Sequence, residues 1–116
     1  MKTIGLIGGM SWESTLEYYR IINQETKRIL GKTNSAKILL YSFNFNELEE
    51  LFIKRNKQAI TDKVIKAALN LEKSGADCLL LCANTTHIVA SEVEKEINIK
   101  LIHIVKSVEK IIEQKK

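Results

Sequence analysis

Four short apolar runs, separated by longer amphipathic segments, dominate the hydrophobic pattern of this chain. Each run is four or five residues long and rich in Ile and Leu, which favours β-strands. We therefore predict strands at residues 3–7, 38–41, 78–82 and 101–104. Because the run at 78–82 is apolar throughout, we expect that strand to be covered on both faces, as in the middle of a parallel sheet.

The segments between these runs carry apolar residues at helical spacing. The first predicted helix has Leu16, Tyr19, Ile22 and Ile29-Leu30 near helical spacing. It begins at Ser11 or Ser14, either of which can cap it, and stops at Gly31. Further helices are predicted over 47–53 with Asn46 as the cap, from Lys57 to Ser74, from a Thr85-Thr86 cap to about Ile97, and around 108–112.

This alternation of strands and helices predicts an α/β fold in which right-handed crossovers place every strand parallel. We expect a three-layer, open parallel sheet of about four strands with helices on both faces. A length of 116 residues predicts a single domain over 1–116. In sheets of this kind, ligands bind beyond the carboxyl ends of the strands.

Composition and charge narrow the possible partners. Lys and Arg number 18 against 14 Asp and Glu, a net charge of +4 with both signs interspersed, so we predict no nucleic-acid partner. The apolar runs are too short for a membrane span or a secretory signal, and we predict neither. Cys78 and Cys82 lie in one predicted strand without being able to bond, which predicts a reduced, cytoplasmic protein.

The loops after the first and third predicted strands carry the candidate chemistry. They contain Gly8-Gly9-Met10-Ser11 and Ala83-Asn84-Thr85-Thr86, and each leads into a helix. Free N–H groups at a helix amino end attract anions, so we predict a small anionic ligand. The glycines can instead serve only to relieve crowding, and the hydroxyls only to cap helices, and this structural interpretation stays open.

Several other chemistries are not supported by residue spacing. The chain has no dinucleotide or nucleoside-triphosphate glycine motif and no nucleophile elbow. Cys78, Cys82, His87 and His103 make a poor zinc set, because both cysteines belong to an apolar strand. We predict no metal and no cofactor.

Two motifs resemble the aspartate/glutamate racemase family. They are the opening at residues 1–15, which includes Gly8-Gly9-Met10-Ser11-Trp12, and Cys82-Ala83-Asn84-Thr85-Thr86-His87. Shorter matching segments at 34–36, 42–45 and 75–77 follow in the family's order. The chain resembles the N-terminal lobe of that family, whose members are about twice as long.

The resemblance implies cofactor-independent inversion at the α-carbon of aspartate or glutamate, with proton-transfer groups on opposite faces of the substrate. Each of two similar lobes supplies one such group in the family. By the same resemblance, the substrate-binding residues are Met10, Ser11, Asn84, Thr85, Thr86 and, for the distal carboxylate, Arg55.

Two departures from the family pattern bear on catalysis. Ala83 stands where two-cysteine members carry their first thiol, so Cys82, one residue earlier, is the candidate catalytic residue; as an alternative it is a small buried apolar residue. The second lobe has no counterpart in this sequence, so we expect a homo-oligomer or a separate second lobe as partner. The competing hypothesis is a non-catalytic module that binds an acidic amino acid or a partner lobe.

Overall fold

The computed structural model describes residues 1–82 and 87–102, which form eight secondary-structure elements. They are β1 (Thr3–Gly8), α1 (Trp12–Leu30), β2 (Lys37–Ser42), α2 (Phe45–Ile53), α3 (Lys57–Lys73), β3 (Cys78–Leu81), α4 (His87–Glu96) and β4 (Lys100–Ile102). The predicted helix around 108–112 and the predicted Thr85-Thr86 cap lie outside the described residues.

The described strands form one parallel sheet in the order β2-β1-β3-β4. This confirms the predicted α/β class and the central position of the strand that begins at Cys78. In the register, Ile7 pairs with Leu81, and Gly8 pairs with Ser42 on the other side of β1. The carboxyl ends of β1 and β3 are therefore direct neighbours.

The apolar residues of the central strands alternate between the two faces of the sheet, and helices cover both. On one face, α1 completes a cluster formed by Ile4, Leu6, Ile22, Cys78, Leu80, Cys82 and Ile102. On the other face, α3 and α4 pack against the sheet through a cluster that includes Ile7, Val64, Ala68, Leu79, Leu81 and Val93. The predicted three-layer arrangement is confirmed. No helix within the described ranges is long and apolar enough to cross a membrane.

Helix α1 turns only part of its predicted apolar set to the core: Ile22 is buried as predicted, and Ile29 and Leu30 pack against it. Leu16 and Tyr19 are 57% and 48% exposed, whereas Thr15, Ile22 and Thr26 are buried. The two threonines tolerate burial because each hydroxyl donates to the backbone carbonyl four residues earlier, so no polar atom is left without a partner. Their methyl groups then pack as small apolar groups.

The predicted cap of α2 is wrong by two residues. The helix begins at Phe45, and Asn44 caps it by accepting a hydrogen bond from the Asn46 N–H at 3.2 Å. Two candidate caps stand two residues apart here, and the backbone extended at Asn44 selects the earlier one. For α1, the Ser11 side chain is the cap and accepts from the Ser14 N–H.

Candidate ligand site at the carboxyl edge of the sheet

The two predicted ligand loops begin side by side. The Cys82 N–H donates to the Ile7 carbonyl oxygen at 2.8 Å, which extends the β1–β3 pairing to the last residue before the second loop. Met10 and Ser11 therefore follow the strand that neighbours Cys82 in the sheet. Asn84, Thr85 and Thr86 lie outside the described residues, and their binding role stays a prediction.

Close packing around the first loop requires its two glycines. A Cβ atom on Gly9, whose φ is +86°, would lie 2.3 Å from both the backbone N and O of Phe43. A Cβ atom on Gly8 would lie 2.4 Å from the Thr15 hydroxyl oxygen. Both positions are buried. The glycines thus relieve crowding, and this role is compatible with a ligand at the residues that follow.

The loop is tied to the first turn of α1 by one buried hydroxyl, which sequence reasoning missed. The Gly9 N–H donates to Thr15 Oγ1 at 2.9 Å, and the same hydroxyl donates to the Ser11 carbonyl oxygen at 3.2 Å. On the other side, the Phe43 N–H donates to the Gly8 carbonyl oxygen at 2.9 Å. A threonine in the first helical turn after a Gly-Gly pair is the signal that could have revealed this contact.

The exposed part of the loop offers unused donors. Met10 is partly buried and Ser11 is exposed. Among the hydrogen bonds formed within residues 1–82 and 87–102, none uses the backbone N–H of Met10 or of Ser11. Glu13 adds a negative charge in the first turn of α1. The N–H groups of Met10 and Ser11 are donors that an anion at this edge can use.

Arg55 lies on the same side of the sheet as these loops. It follows α2 and immediately precedes α3, and α3 runs back toward the start of β3, so its amino end lies at the carboxyl side of the strands. Arg55 is exposed, has a φ of +54°, and makes no side-chain hydrogen bond or ion pair with the described part of the chain. It is thus available to a ligand, but no hydrogen bond joins it to Met10 or Ser11.

Cys82 points away from water. Its side chain is 0% exposed, belongs to the cluster under α1, and has the Leu80 carbonyl oxygen 3.9 Å from its Sγ. Burial raises the pKa of the Cys82 thiol to about 12. At neutral pH only about 10⁻⁵ of such a thiol is ionised, and the thiolate is the reactive form. This environment fits the alternative interpretation, in which Cys82 is a small buried apolar residue. A catalytic role for Cys82 stays a prediction.

Cys78 shares this environment and does not assemble a metal site. Burial, and to a smaller degree the nearby Asp77 carboxylate, raises the pKa of the Cys78 thiol to about 11. Over the residues that the structure describes, no three His, Cys, Asp or Glu side chains come close enough to hold a metal ion. His103 lies outside those residues, as does the side chain of His87.

An open parallel α/β sheet with glycine-rich and polar loops at its carboxyl edge defines a class of proteins that bind small ligands there. Residues 7–115 match the Asp/Glu/Hydantoin racemase family model, and the chain belongs to that family. The match confirms the resemblance carried by the opening motif and by residues 82–87.

Three relatives illustrate the similarity. A crystal structure of a Yersinia pestis protein assigned to the Asp/Glu racemases superposes with a TM-score of 0.85 at 45% identity, covering 99% of this chain. An aspartate racemase homologue from Pyrococcus horikoshii superposes with a TM-score of 0.79 at 33% identity over 99% of this chain. The broad-specificity amino-acid racemase of Bacillus subtilis is 27% identical over 107 residues, or 88% of this chain.

This chain spans about half the length of each relative. It covers 50% of each of the two crystal structures and 45% of the Bacillus subtilis protein. The family and the fold of the described residues are therefore established. The activity of the full-length relatives is considered below as a proposal.

Proposed function

We propose that residues 1–116 form one lobe of an amino-acid racemase that acts on aspartate or glutamate without a cofactor. The observation that carries the proposal is the side-by-side pairing of β1 and β3 in a member of a racemase family, because the two strand ends that lead into the polar loops are neighbours. The substrate class is supported by the names of the relatives, which include an aspartate racemase homologue and a broad-specificity enzyme.

The proposed chemistry is removal and return of the substrate α-proton. Charge moves onto the α-carboxylate as the proton leaves, so donors aimed at that carboxylate stabilise the transition state. In our proposal these donors are the N–H groups of Met10 and Ser11 together with Asn84, Thr85 and Thr86. Arg55 binds the distal carboxylate, since its guanidinium is exposed at the same edge.

Inversion also needs a second proton-transfer group on the opposite face of the α-carbon. In our proposal that group comes from outside residues 1–116, either from a second copy of the chain or from a second lobe. The ratio of lengths supports this, because each relative is about twice as long as the chain. We place the protein in the cytoplasm because both cysteines are free thiols, as is usual in reducing compartments.

The burial of Cys82 favours a second candidate function. To act as the base, Cys82 Sγ would have to leave the cluster under α1, and its pKa would have to fall from about 12 toward neutrality. Ala83, at the family's base position, has no acid-base chemistry. These two features suit a non-catalytic module that binds an acidic amino acid, or pairs with a catalytic lobe, at the same loops.

Proton exchange separates the two functions. The 116-residue chain is incubated in D₂O with L-aspartate or L-glutamate, and loss of the α-proton signal is followed by NMR. Exchange faster than in an Asn84→Ala variant is expected of a lobe that holds a working base. Exchange no faster than in buffer, together with calorimetric binding of either amino acid, would identify the binding module instead.

Restoring the family's base position gives a matched test. In Ala83→Cys and Ala83→Thr the missing group is returned to the strand end beside Cys82. If the remaining site is intact, α-proton exchange should rise in at least one variant. If no variant exchanges and none binds either enantiomer of either acid, the catalytic role and the amino-acid site are both wrong, and pairing with a catalytic lobe is the candidate left to test.

A further inference from the structure

The Thr15 hydroxyl forms two hydrogen bonds, one within the first turn of α1 and one to the loop before it. It is 5% exposed, donates to the Ser11 carbonyl oxygen at 3.2 Å and accepts the Gly9 N–H at 2.9 Å. The two partners are the first and last residues of the turn that carries Met10. One side chain therefore joins both ends of the turn, through a buried hydrogen bond at Gly9 and a partly buried one at Ser11.

Thr26, on the same helix, is a buried threonine whose hydroxyl bonds only within the helix, among the described residues. It is also buried, at 0% exposure, and its hydroxyl donates to the Ile22 carbonyl oxygen four residues earlier at 2.8 Å. No loop N–H among the described residues donates to it. Only the contact with Gly9 distinguishes the two threonines, and Thr26 lies eleven residues, about 16 Å, further along α1.

We propose that Thr15 is the positioning residue of the substrate loop: its hydroxyl holds the Gly9–Ser11 turn so that the Met10 and Ser11 N–H groups meet the substrate carboxylate. This inference rests on the proposed function and assigns a role to a residue that contacts no substrate. It adds to the proposed ligand-binding residues one residue that sets the conformation of their loop.

The geometry around the turn supports this role. Gly9 is buried, so its N–H cannot turn to water without moving the loop, and Thr15 is the partner it has. The Thr15 hydroxyl also lies 2.4 Å from where a Gly8 Cβ would be, and Phe43 N and O lie 2.3 Å from where a Gly9 Cβ would be. The turn is thus confined between α1 and the end of β2, and Thr15 supplies its polar contact on the α1 side.

Three variants of the 116-residue chain separate positioning from stability. Thr15→Val keeps the shape and removes the hydroxyl, Thr15→Ser keeps the hydroxyl, and Thr26→Val removes a buried hydroxyl elsewhere on the same helix. The first measurement is hydrogen exchange of the Gly9 amide by NMR, referenced to amides of the central strands. We expect exchange about tenfold faster in Thr15→Val, as fits loss of one buried hydrogen bond, and near the unsubstituted rate in the other two variants.

The second measurement is calorimetric affinity for both enantiomers of aspartate and glutamate. The acid that binds should lose about tenfold in affinity in Thr15→Val and keep most of it in Thr15→Ser and Thr26→Val. Equal losses of affinity in Thr15→Val and Thr26→Val would overturn the positioning role, as would an unchanged Gly9 amide.

The failure of the proposed function has a different signature. If the unsubstituted chain binds none of the four amino acids, a carboxylate site at this loop is wrong, and with it the use of the turn for substrate. The Gly9 amide then still decides whether Thr15 holds the turn. A fast Gly9 amide in Thr15→Val with unchanged affinity would contradict the inference while leaving the proposed function standing.

Discussion

Replacing Gly9 by alanine should destabilise the fold in two ways, through backbone strain at a positive φ and through crowding of the new methyl group against Phe43. The φ of +86° is a conformation in which an L-residue loses about 1–2 kcal/mol relative to glycine. The new Cβ would also lie 2.3 Å from the N and O of Phe43, and backbone atoms cannot swing aside as a flexible side chain can. Overpacking of this kind costs about 1–3 kcal/mol, so the total is about 2–5 kcal/mol.

The cost is large on the scale of the whole protein. A chain of 116 residues is expected to have an unfolding free energy of about 6–17 kcal/mol. At about 4 °C per kcal/mol, Gly9→Ala should lower the midpoint of thermal unfolding by about 8–20 °C. Thermal and urea unfolding followed by circular dichroism measure both quantities.

Two other glycines separate the two costs. Gly75 has a φ of +107° and nothing within 4 Å of its would-be Cβ, so Gly75→Ala should show the strain alone, about 1–2 kcal/mol. The φ of Gly8 is not positive, and a Cβ atom added there would lie 2.4 Å from the Thr15 hydroxyl oxygen, so Gly8→Ala should show the crowding alone. If Gly9→Ala is no more destabilised than Gly75→Ala, the close approach of Phe43 has no energetic weight and the reasoning is refuted.

Three further outcomes follow from burial, capping and ionisation. Leu80→Ala should cost about 2–5 kcal/mol of unfolding free energy and Leu40→Ala under about 1, because Leu80 is fully buried and Leu40, on the edge strand, is 46% exposed. Asn56→Ala should cost about 1 kcal/mol in urea unfolding, since its side chain accepts the Ala59 N–H at 3.1 Å and caps α3. Alkali should also destabilise the protein through Cys82, whose folded pKa is about 12 while the unfolded thiol ionises near 9. Below pH 9 both states hold the proton; above it the unfolded state loses its proton first, so about 2 kcal/mol should be lost by about pH 10.5.

Each of these outcomes has its own control. Equal costs for Leu80→Ala and Leu40→Ala would contradict the assignment of Leu40 to the exposed edge. Asn56→Asp keeps an acceptor at the α3 cap, and if it destabilises as much as Asn56→Ala, the cap is not the cause. Cys82→Ala should lose less stability than the unsubstituted chain between pH 8 and 10.5, and an identical loss would assign the alkaline effect to other groups.

The order and type of the described elements were predictable because they depend on neighbours along the chain. Apolar runs four or five residues long gave strands within one or two residues of their observed ends, and Gly31 and Ser11 bounded α1 as expected. The loop that contains Met10 and Ser11 also lies at the carboxyl edge, as predicted. That placement needs only the parallel arrangement, which alternating strands and helices impose.

Other features escaped prediction because they depend on contacts between distant residues. Periodicity pointed correctly to Ile22 but also to Leu16 and Tyr19, which are exposed. Thr15 and Thr26 are buried instead, and each hydroxyl donates to the carbonyl oxygen four residues earlier. The choice of Asn44 over Asn46 as the α2 cap was decided by the extended backbone that leaves β2. No local pattern encodes either choice.

The sequence by itself determined the α/β class and the family, because these are carried by short-range spacing and by motifs at residues 8–12 and 82–87. Only the tertiary structure decided that β1 lies between β2 and β3, that Cys82 is enclosed under α1, and that the Thr15 hydroxyl accepts the Gly9 N–H. The physical reason is that burial and close packing belong to surfaces brought together by folding. A thiol or a hydroxyl acquires its environment only when the helix and strand beside it are in place.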